Sequence, residues 1–96
     1  MQYDFSWDPN KARENCRKHG VSFEHASTVF RDPRAASLYD DDHSDFEDRW
    51  MTLGLSSVGG IILVHHTFDE IDENHARIRI FSCRKATPEQ IRQYTE

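Results

Sequence analysis

The amino-acid sequence predicts a single α+β domain over residues 1–96, with the element order β-α-α-β-β-β-β-α. Two helix-like segments with clear start and stop signals occupy residues 8–33. Four strand-like segments joined by short polar loops follow between residues 35 and 82, and strands joined by hairpin loops pair antiparallel. A capping box at Thr87 then begins a last helix. Helices kept apart from hairpin-connected strands are typical of the α+β class.

The first strand is predicted from three aromatic residues that alternate with polar ones: Tyr3, Phe5 and Trp7. Asp8 followed by Pro9 predicts the start of the first helix, because aspartate caps exposed N–H groups and proline suits the first helical position. Gly20 predicts its end. The helix therefore covers residues 9–19.

A second helix is predicted over residues 23–30, with Ser22 as its N-cap and Asp32-Pro33 as its end. The strands that follow are predicted over residues 35–40, 49–56, 61–68 and 75–82. Residues 41–45 and 69–74 are polar and predict loops, and residues 58–60 predict a hairpin turn. The third of these strands is apolar on both faces at residues 61–64, which predicts a central position in the sheet.

Composition predicts a soluble, cytoplasmic protein. The longest aliphatic run is Ile61–Val64, far too short to span a membrane, and the N-terminus lacks the apolar stretch of a signal peptide. The two cysteines, Cys16 and Cys83, are too few for a disulfide framework or a thiolate zinc site. We interpret both as reduced thiols.

Charge is distributed unevenly along the chain. The net charge of −5 argues against general affinity for nucleic acid, which depends on cations. Six acids lie within residues 40–48, whereas residues 77–96 hold five cations against two acids. A basic partner protein suits the first region, and a phosphate ligand suits the second.

The most informative stretch is the last predicted strand, where arginine alternates with large apolar residues. Arg77 and Arg79 are predicted on one face, with Arg84 and Lys85 at the strand end. Arginine donates two parallel hydrogen bonds to a phosphate or a carboxylate, so this face is a candidate phosphate site. The alternative is a solvated strand face whose arginines pair with carboxylates of the chain.

Several motifs in this sequence resemble the BrnT family of toxins, and the resemblance covers nearly the whole chain. The N-terminal half carries Phe5-x-Trp7-Asp8-x-x-Lys11, Asn15, Lys18-His19-Gly20-Val21-x-Phe23 and Ala26. The rest carries Asp32-Pro33, Asp42-His43-Ser44, Glu47, Arg49, Gly54-x-Ser56, Ile78-Arg79-Ile80-x-Ser82-x-Arg84-Lys85-Ala86-Thr87 and Tyr94. One departure is Cys83, where the family commonly has alanine, and another is the acidic net charge, since toxins of this fold are often basic.

The resemblance implies a RelE-like fold and a small ribonuclease toxin of a type II toxin–antitoxin pair. It also implies a cognate antitoxin with a DNA-binding module, which neutralises the toxin in a complex that represses their own operon. The toxin would then contact RNA directly and DNA only through the antitoxin. No membrane partner and no cofactor are expected.

Metal-independent RNA cleavage needs a base, an acid and cations that stabilise charge on the phosphate. For the phosphate we select Arg79 and Arg84, with Arg77, Lys18 and Lys85 as further RNA-binding residues. For proton transfer the candidates are His19, His43, Glu47 and Tyr94. Each has a structural alternative: a helix C-cap for His19, a solvated or antitoxin-binding loop for His43 and Glu47, and core packing for Tyr94.

The pair His65-His66 does not favour a metal site, because adjacent residues of a strand point to opposite faces. We expect one of them to form hydrogen bonds in the core and the other to line the basic face. A competing hypothesis for the whole chain is a non-catalytic interaction module that binds a basic partner through its acidic stretch.

Overall fold

The computed structural model describes residues 1–96, which fold into three α-helices, two short 3₁₀ helices and six strands. The α-helices are α1 (Pro9–His19), α2 (Phe23–Ser27) and α3 (Pro88–Thr95). The strands are β1 (Gln2–Ser6), β2 (Ala36–Tyr39), β3 (Trp50–Leu55), β4 (Ile61–His66), β5 (Asp69–Asp72) and β6 (His75–Lys85). None of the helices has the length and apolar character needed to cross a membrane.

The six strands form one mixed sheet in the order β1-β6-β4-β3-β2, and β5 pairs with β6 beside this path. Strands β1 and β6 run parallel, and all the other pairs are antiparallel. The predicted α+β class and the mostly antiparallel sheet are therefore confirmed. The RelE-like relation stays a prediction.

Local signals place the helices and turns correctly. Asp8 accepts a hydrogen bond from the Asn10 backbone N–H, and α1 begins and ends at the predicted residues. Gly59 and Gly60 form the predicted hairpin turn with φ values of +87° and +88°, a region that only glycine adopts without strain. The capping box at Thr87 is also present.

Several predicted boundaries were wrong, and one of them is the strand predicted over residues 61–68, which ends at His66. The loop predicted over residues 69–74 contains β5, whose residues are all exposed and therefore lack the alternating pattern that predicts strands. Pairing with β6, with Asp69 opposite Arg77, supplies this strand instead. The second helix is α-helical only to Ser27 and continues as a 3₁₀ helix over Thr28–Arg31. Strand β6 extends three residues beyond its predicted end, because Cys83 to Lys85 pair with β4.

The core lies between the helices and one face of the sheet. Phe23, Ala26 and Val29 of the second helical segment are fully buried against Val64 and Ile78 of the central strands. A layer of aromatic rings from β1 and the helices surrounds this cluster: Tyr3, Phe5, Trp7 and Phe30. The opposite face of the sheet carries only α3, which makes few contacts with it. We call this second face the open face.

A buried asparagine fixes α1 to the sheet. The Asn15 side-chain amide donates to the Cys83 carbonyl at 2.9 Å, and its oxygen accepts from the Cys83 N–H at 3.1 Å. Asn15 therefore supplies the hydrogen bonds that a further strand would otherwise make to β6. Burial raises the pKa of the Cys83 thiol to about 11, so this cysteine stays protonated at neutral pH.

A buried histidine links three strands through polar side chains. His66 Nε2 lies 2.6 Å from Thr52 Oγ1, and Thr52 Oγ1 lies 2.7 Å from Ser37 Oγ. His66 Nδ1 lies 2.8 Å from the Thr67 carbonyl, so the proton resides on Nδ1 and Nε2 accepts from threonine. Burial lowers the pKa of His66 from 6.5 to about 4, so the ring is neutral at pH 7.

This lowered pKa predicts acid lability. The unfolded chain binds a proton near pH 6.5, whereas the folded chain resists it until about pH 4. Stability is therefore complete above pH 6.5 and is lost as the pH falls towards 4, by about 3 kcal/mol from this group. Urea unfolding between pH 7 and pH 4 measures the slope. The variant His66→Gln should show a shallower slope over that interval, and an unchanged slope would contradict the assignment.

Candidate functional site

An irregularity in the pairing of β4 with β6 lies between the two adjacent histidines. His65 lies opposite Ser82, whereas His66 lies opposite Ile80, so Phe81 is the extra residue of a β-bulge. The ordinary alternation of β4 places His66 in the core and His65 on the open face. The bulge brings Ile80 into the core opposite His66, while Ser82 stays opposite His65 on the open face. The expectation that one histidine would form hydrogen bonds in the core is confirmed by His66. The other was expected to line the basic face, and His65 lies on the face of the sheet that carries Arg84.

A buried carboxylate lies between His65 and a second histidine. The side chain of Asp40 is only 9% exposed, and its oxygens lie 3.0 and 3.1 Å from His43 Nδ1. His65 Nδ1 lies 4.0 Å from the same carboxylate. His43 is two-thirds exposed and His65 about one-third exposed, so both rings can reach a ligand. Asp40 orients the His43 ring by hydrogen bonding, whereas it lies near His65 without a hydrogen bond.

The loop that carries His43 is fixed at its base. The Ser44 hydroxyl donates to the Asp40 carbonyl at 2.6 Å and accepts from the Arg49 N–H at 3.0 Å. Asp40 N–H donates to the Arg49 carbonyl at 2.8 Å. These bonds close the acidic loop into a compact turn, and they explain why a polar segment positions its side chains beside β4.

Burial is the main reason why the pKa of His65 lies below its usual value of 6.5. The Asp40 carboxylate opposes this shift, while the positive charges of Arg84 and Arg49 and the neighbouring His43 add to it. His65 is therefore neutral at pH 7. A neutral imidazole whose Nδ1 side faces a carboxylate leaves Nε2 available to accept a proton.

Two arginines border these histidines. Arg49 stacks on the ring of Phe81, with its guanidinium carbon 4.2 Å from the ring centroid, and bonds Glu47 at 3.2 Å. Arg84 lies on β6 opposite Leu63, and one of its Nη atoms donates to the Gln90 side chain at 3.2 Å. Arg49 forms one salt bridge, to Glu47, and Arg84 forms none. Both guanidinium groups therefore retain N–H donors for a phosphate.

The other two arginines of β6 lie apart from this group. Arg77 and Arg79 are exposed on the N-terminal half of the strand. Arg79 precedes Arg84 by five residues, a separation on the order of 15 Å along a strand. Arg77 has Asp4 and Asp69 as its neighbours on the adjacent strands. The arginines predicted to act together are therefore split between two parts of the open face.

Tyr94 lies in α3 and is held by a carboxylate. Its hydroxyl donates to Asp32 Oδ2 at 2.6 Å, and this bond is the largest reason why the pKa of Tyr94 is raised. Burial raises the pKa of Asp32, but hydrogen bonds from Leu55, Tyr94 and Arg34 together bring it below its usual value. This arrangement anchors α3 to the body of the protein.

The remaining predicted residues lie around the margins of the open face. Lys18 and His19 are exposed in the last turn of α1 and face the bulge at Phe81 and Ser82. Lys85 is exposed at the end of β6. His43 and Glu47 lie in the acidic loop, where each bonds a partner described above. Of the predicted set, Arg84 and His43 lie near His65, and Glu47 is linked to this group through Arg49.

Three residues that lie together with Arg84 and His43 were not selected from the sequence as site residues: Asp40, Arg49 and His65. Asp40 was one acid among six, and no local pattern distinguishes it from its neighbours. His65 could be identified only from the alternation of side chains along the strand, which places it on the face opposite to the buried His66. We call the set of Asp40, His43, Arg49, His65 and Arg84 the histidine–arginine cluster. No three His, Cys, Asp or Glu side chains of the chain are grouped so as to hold a metal ion.

Comparison with known proteins identifies a family and a solved structure of similar fold. A family model described as "Ribonuclease toxin, BrnT, of type II toxin-antitoxin system" matches residues 7–90. The fold is similar to the crystal structure of the ribonuclease toxin BrnT from Brucella abortus, with a TM-score of 0.56 and 22% sequence identity. That similarity covers 91% of this chain and 99% of the Brucella chain. No curated protein matches the sequence.

Proposed function

The chain belongs to the BrnT family of ribonuclease toxins of type II toxin–antitoxin systems, and we propose that it cleaves RNA at the histidine–arginine cluster. The observation that carries this proposal is the position of His65 beside Arg84, with the buried Asp40 behind the ring. A neutral base, an orienting carboxylate and a phosphate-binding cation are the parts that this reaction requires.

In the proposed reaction, His65 Nε2 removes the proton from the ribose 2′-hydroxyl. The 2′-oxygen then attacks the phosphorus, and the bond from phosphorus to the 5′-oxygen breaks. His43, held by the same carboxylate, donates a proton to the departing 5′-oxygen. Arg84 and Arg49 stabilise the charge on the phosphate oxygens. The products are a 2′,3′-cyclic phosphate and a free 5′-hydroxyl, and no metal ion takes part in this scheme.

The outlying cations extend the substrate path. Arg77 and Arg79 lie on the same face as Arg84, farther along β6, where they suit phosphates several nucleotides away. Lys18 lies beside the bulge at Phe81, and Lys85 lies at the C-terminal end of β6. His19, Glu47 and Tyr94 remain secondary candidates: Glu47 acts through Arg49, and Tyr94 acts by holding α3.

The biological role follows from the family. We propose that RNA cleavage in the cytoplasm inhibits translation, and that a cognate antitoxin with a DNA-binding module neutralises the toxin. Family membership supports the antitoxin partner. Contact with DNA is then expected only through the DNA-binding module of that partner.

We expect Arg84→Ala to reduce RNA cleavage by about 10²–10³-fold, since it removes a donor that stabilises charge on the phosphate. Cleavage of a fluorescent RNA by purified protein, with EDTA present, measures the rate. The matched control is Arg92→Ala, which removes an exposed arginine of α3 outside the cluster. Equal rates for Arg84→Ala and the wild type would contradict the assignment. No cleavage by folded wild type would favour the non-catalytic interaction module.

A further inference from the structure

An apolar groove lies on the open face between β2, β3 and α3, next to the histidine–arginine cluster. It has a volume of about 280 Å³. Six of the nine residues that line it are hydrophobic: Ala36, Leu38, Met51, Leu53, Leu63 and Tyr94. We call it the β2 groove. Leu38 at its rim is 67% exposed, so its side chain is accessible to an occupant of the groove.

The groove borders a free strand edge. Strand β2 is the last strand of the sheet, and all four of its residues are exposed. Asp40 N–H bonds the Arg49 carbonyl, and hydrogen bonding alternates along an antiparallel ladder. Ser37 and Tyr39 therefore direct their backbone N–H and C=O groups away from β3. Such an edge can accept a further strand.

Charge at the end of β2 indicates the chemistry of the occupant. Three acids of the adjacent loop have partners within the chain, because Asp40 bonds His43, Glu47 bonds Arg49 and Asp48 accepts from Tyr39. The other three acids form no ion pair: Asp41, Asp42 and Asp45. A segment that lies along β2 would meet these carboxylates at the end of the strand, so cations are favoured there.

We propose that the β2 groove binds the antitoxin through an extended segment that adds a strand to β2. Alternate apolar side chains of this segment enter the groove, and basic side chains next to them face Asp41, Asp42 and Asp45. This proposal rests on the antitoxin partner given above. It also explains neutralisation, because Leu63 in the groove lies opposite Arg84, and Gln90 at its margin bonds Arg84. A bound segment therefore restricts access to the candidate site.

The test uses the purified full-length toxin and, as the probe, the protein encoded by the reading frame that adjoins the toxin gene. A photo-crosslinking amino acid replaces Leu38 in one variant and Val58 in another. Val58 is the matched control, since it is 65% exposed but lies in the hairpin turn between β3 and β4. We expect crosslinks to the probe from position 38 and none from position 58.

Binding constants give a second readout. Leu38→Asp should weaken binding of the probe by about tenfold or more, as loss of an anchor residue does, while Val58→Asp should leave it unchanged. The triple variant Asp41→Asn, Asp42→Asn, Asp45→Asn should weaken binding and reduce its salt dependence. Its control neutralises three acids elsewhere: Asp69, Glu70 and Glu73. Circular dichroism confirms that each variant is folded.

The outcomes separate this proposal from the ribonuclease proposal. Equal affinity for Leu38→Asp and the wild type, or no binding of the probe at all, would overturn the groove as the antitoxin site while leaving wild-type cleavage intact. Slower cleavage by Leu38→Asp with unchanged probe binding would assign the groove to RNA. A dimeric toxin that Leu38→Asp converts to a monomer would assign it to a second copy. Weaker probe binding with unchanged cleavage supports the proposal.

Discussion

Replacement of His65 by glutamine should lower the rate of RNA cleavage by about 10²–10⁴-fold, the effect expected when a general base is removed. The side chain is one-third exposed, its ring faces the buried Asp40, and it lies opposite Ser82 on the strand that carries Arg84. Glutamine can still donate a hydrogen bond, but it cannot accept the proton of the 2′-hydroxyl at neutral pH. The fall should therefore appear in kcat more than in KM.

The pH profile provides a readout that a merely structural role would not change. Neutral His65 is the active form, so the rate falls as the pH drops through the pKa of this residue. Burial places that pKa below 6.5, and the acid limb of the wild-type profile should have its midpoint below this value. The glutamine variant should lose this limb. A midpoint well above 6.5 would contradict the assignment of the base.

A matched control is available on α2. His25 is exposed and its ring has no hydrogen-bond partner, so His25→Gln makes the same substitution outside the cluster and should cleave at the wild-type rate. Thermal unfolding of both variants separates loss of catalysis from loss of structure. If His65→Gln retains cleavage while His43→Gln loses it, His65 takes no part in proton transfer and the mechanism given above is wrong.

The parts of the fold that depend on residues close together in the sequence could be predicted. Asp8, Pro9 and Gly20 define α1 because capping and backbone conformation are local properties. Strand β6 was identified from its alternating arginines and isoleucines for the same reason. Its antiparallel pairing with β4 was expected from the hairpin connections, but the parallel arrangement with β1 was not predicted, since it depends on how distant segments meet.

The candidate site depends on such distant contacts. Asp40 and His65 are 25 positions apart, and their approach requires the closed acidic loop and the pairing of β3 with β4, whereas the bulge at Phe81 determines which residues of β6 share a face. The bulge shifts the alternation of β6, so that Ile80 and Cys83, three residues apart, are both buried. A strict period of two would instead place Arg79 on the same face as Phe81 and Cys83. The sequence therefore identified the cationic strand, but it did not show which cations meet a histidine.

Replacement of Phe23 by alanine should destabilise the protein by about 3–5 kcal/mol, the usual cost of removing a buried aromatic side chain. Phe23 has no exposed surface, and its ring packs edge-to-face with the ring of Trp7 at a centroid distance of 5.9 Å. It begins α2 and packs in the core cluster with strands β4 and β6. The loss approaches the whole stability of a domain of this size, so urea unfolding should show a large fall in midpoint.

Phe46 supplies a control with the same chemistry and the opposite burial. Its side chain is fully exposed in the acidic loop, so Phe46→Ala should change stability by no more than about 0.5 kcal/mol. The difference between the two variants isolates the contribution of burial, since both lose the same atoms from the unfolded chain. Equal, small effects would mean that α2 does not pack on the sheet as described. Phe23→Leu should recover most of the loss, because leucine refills much of the cavity.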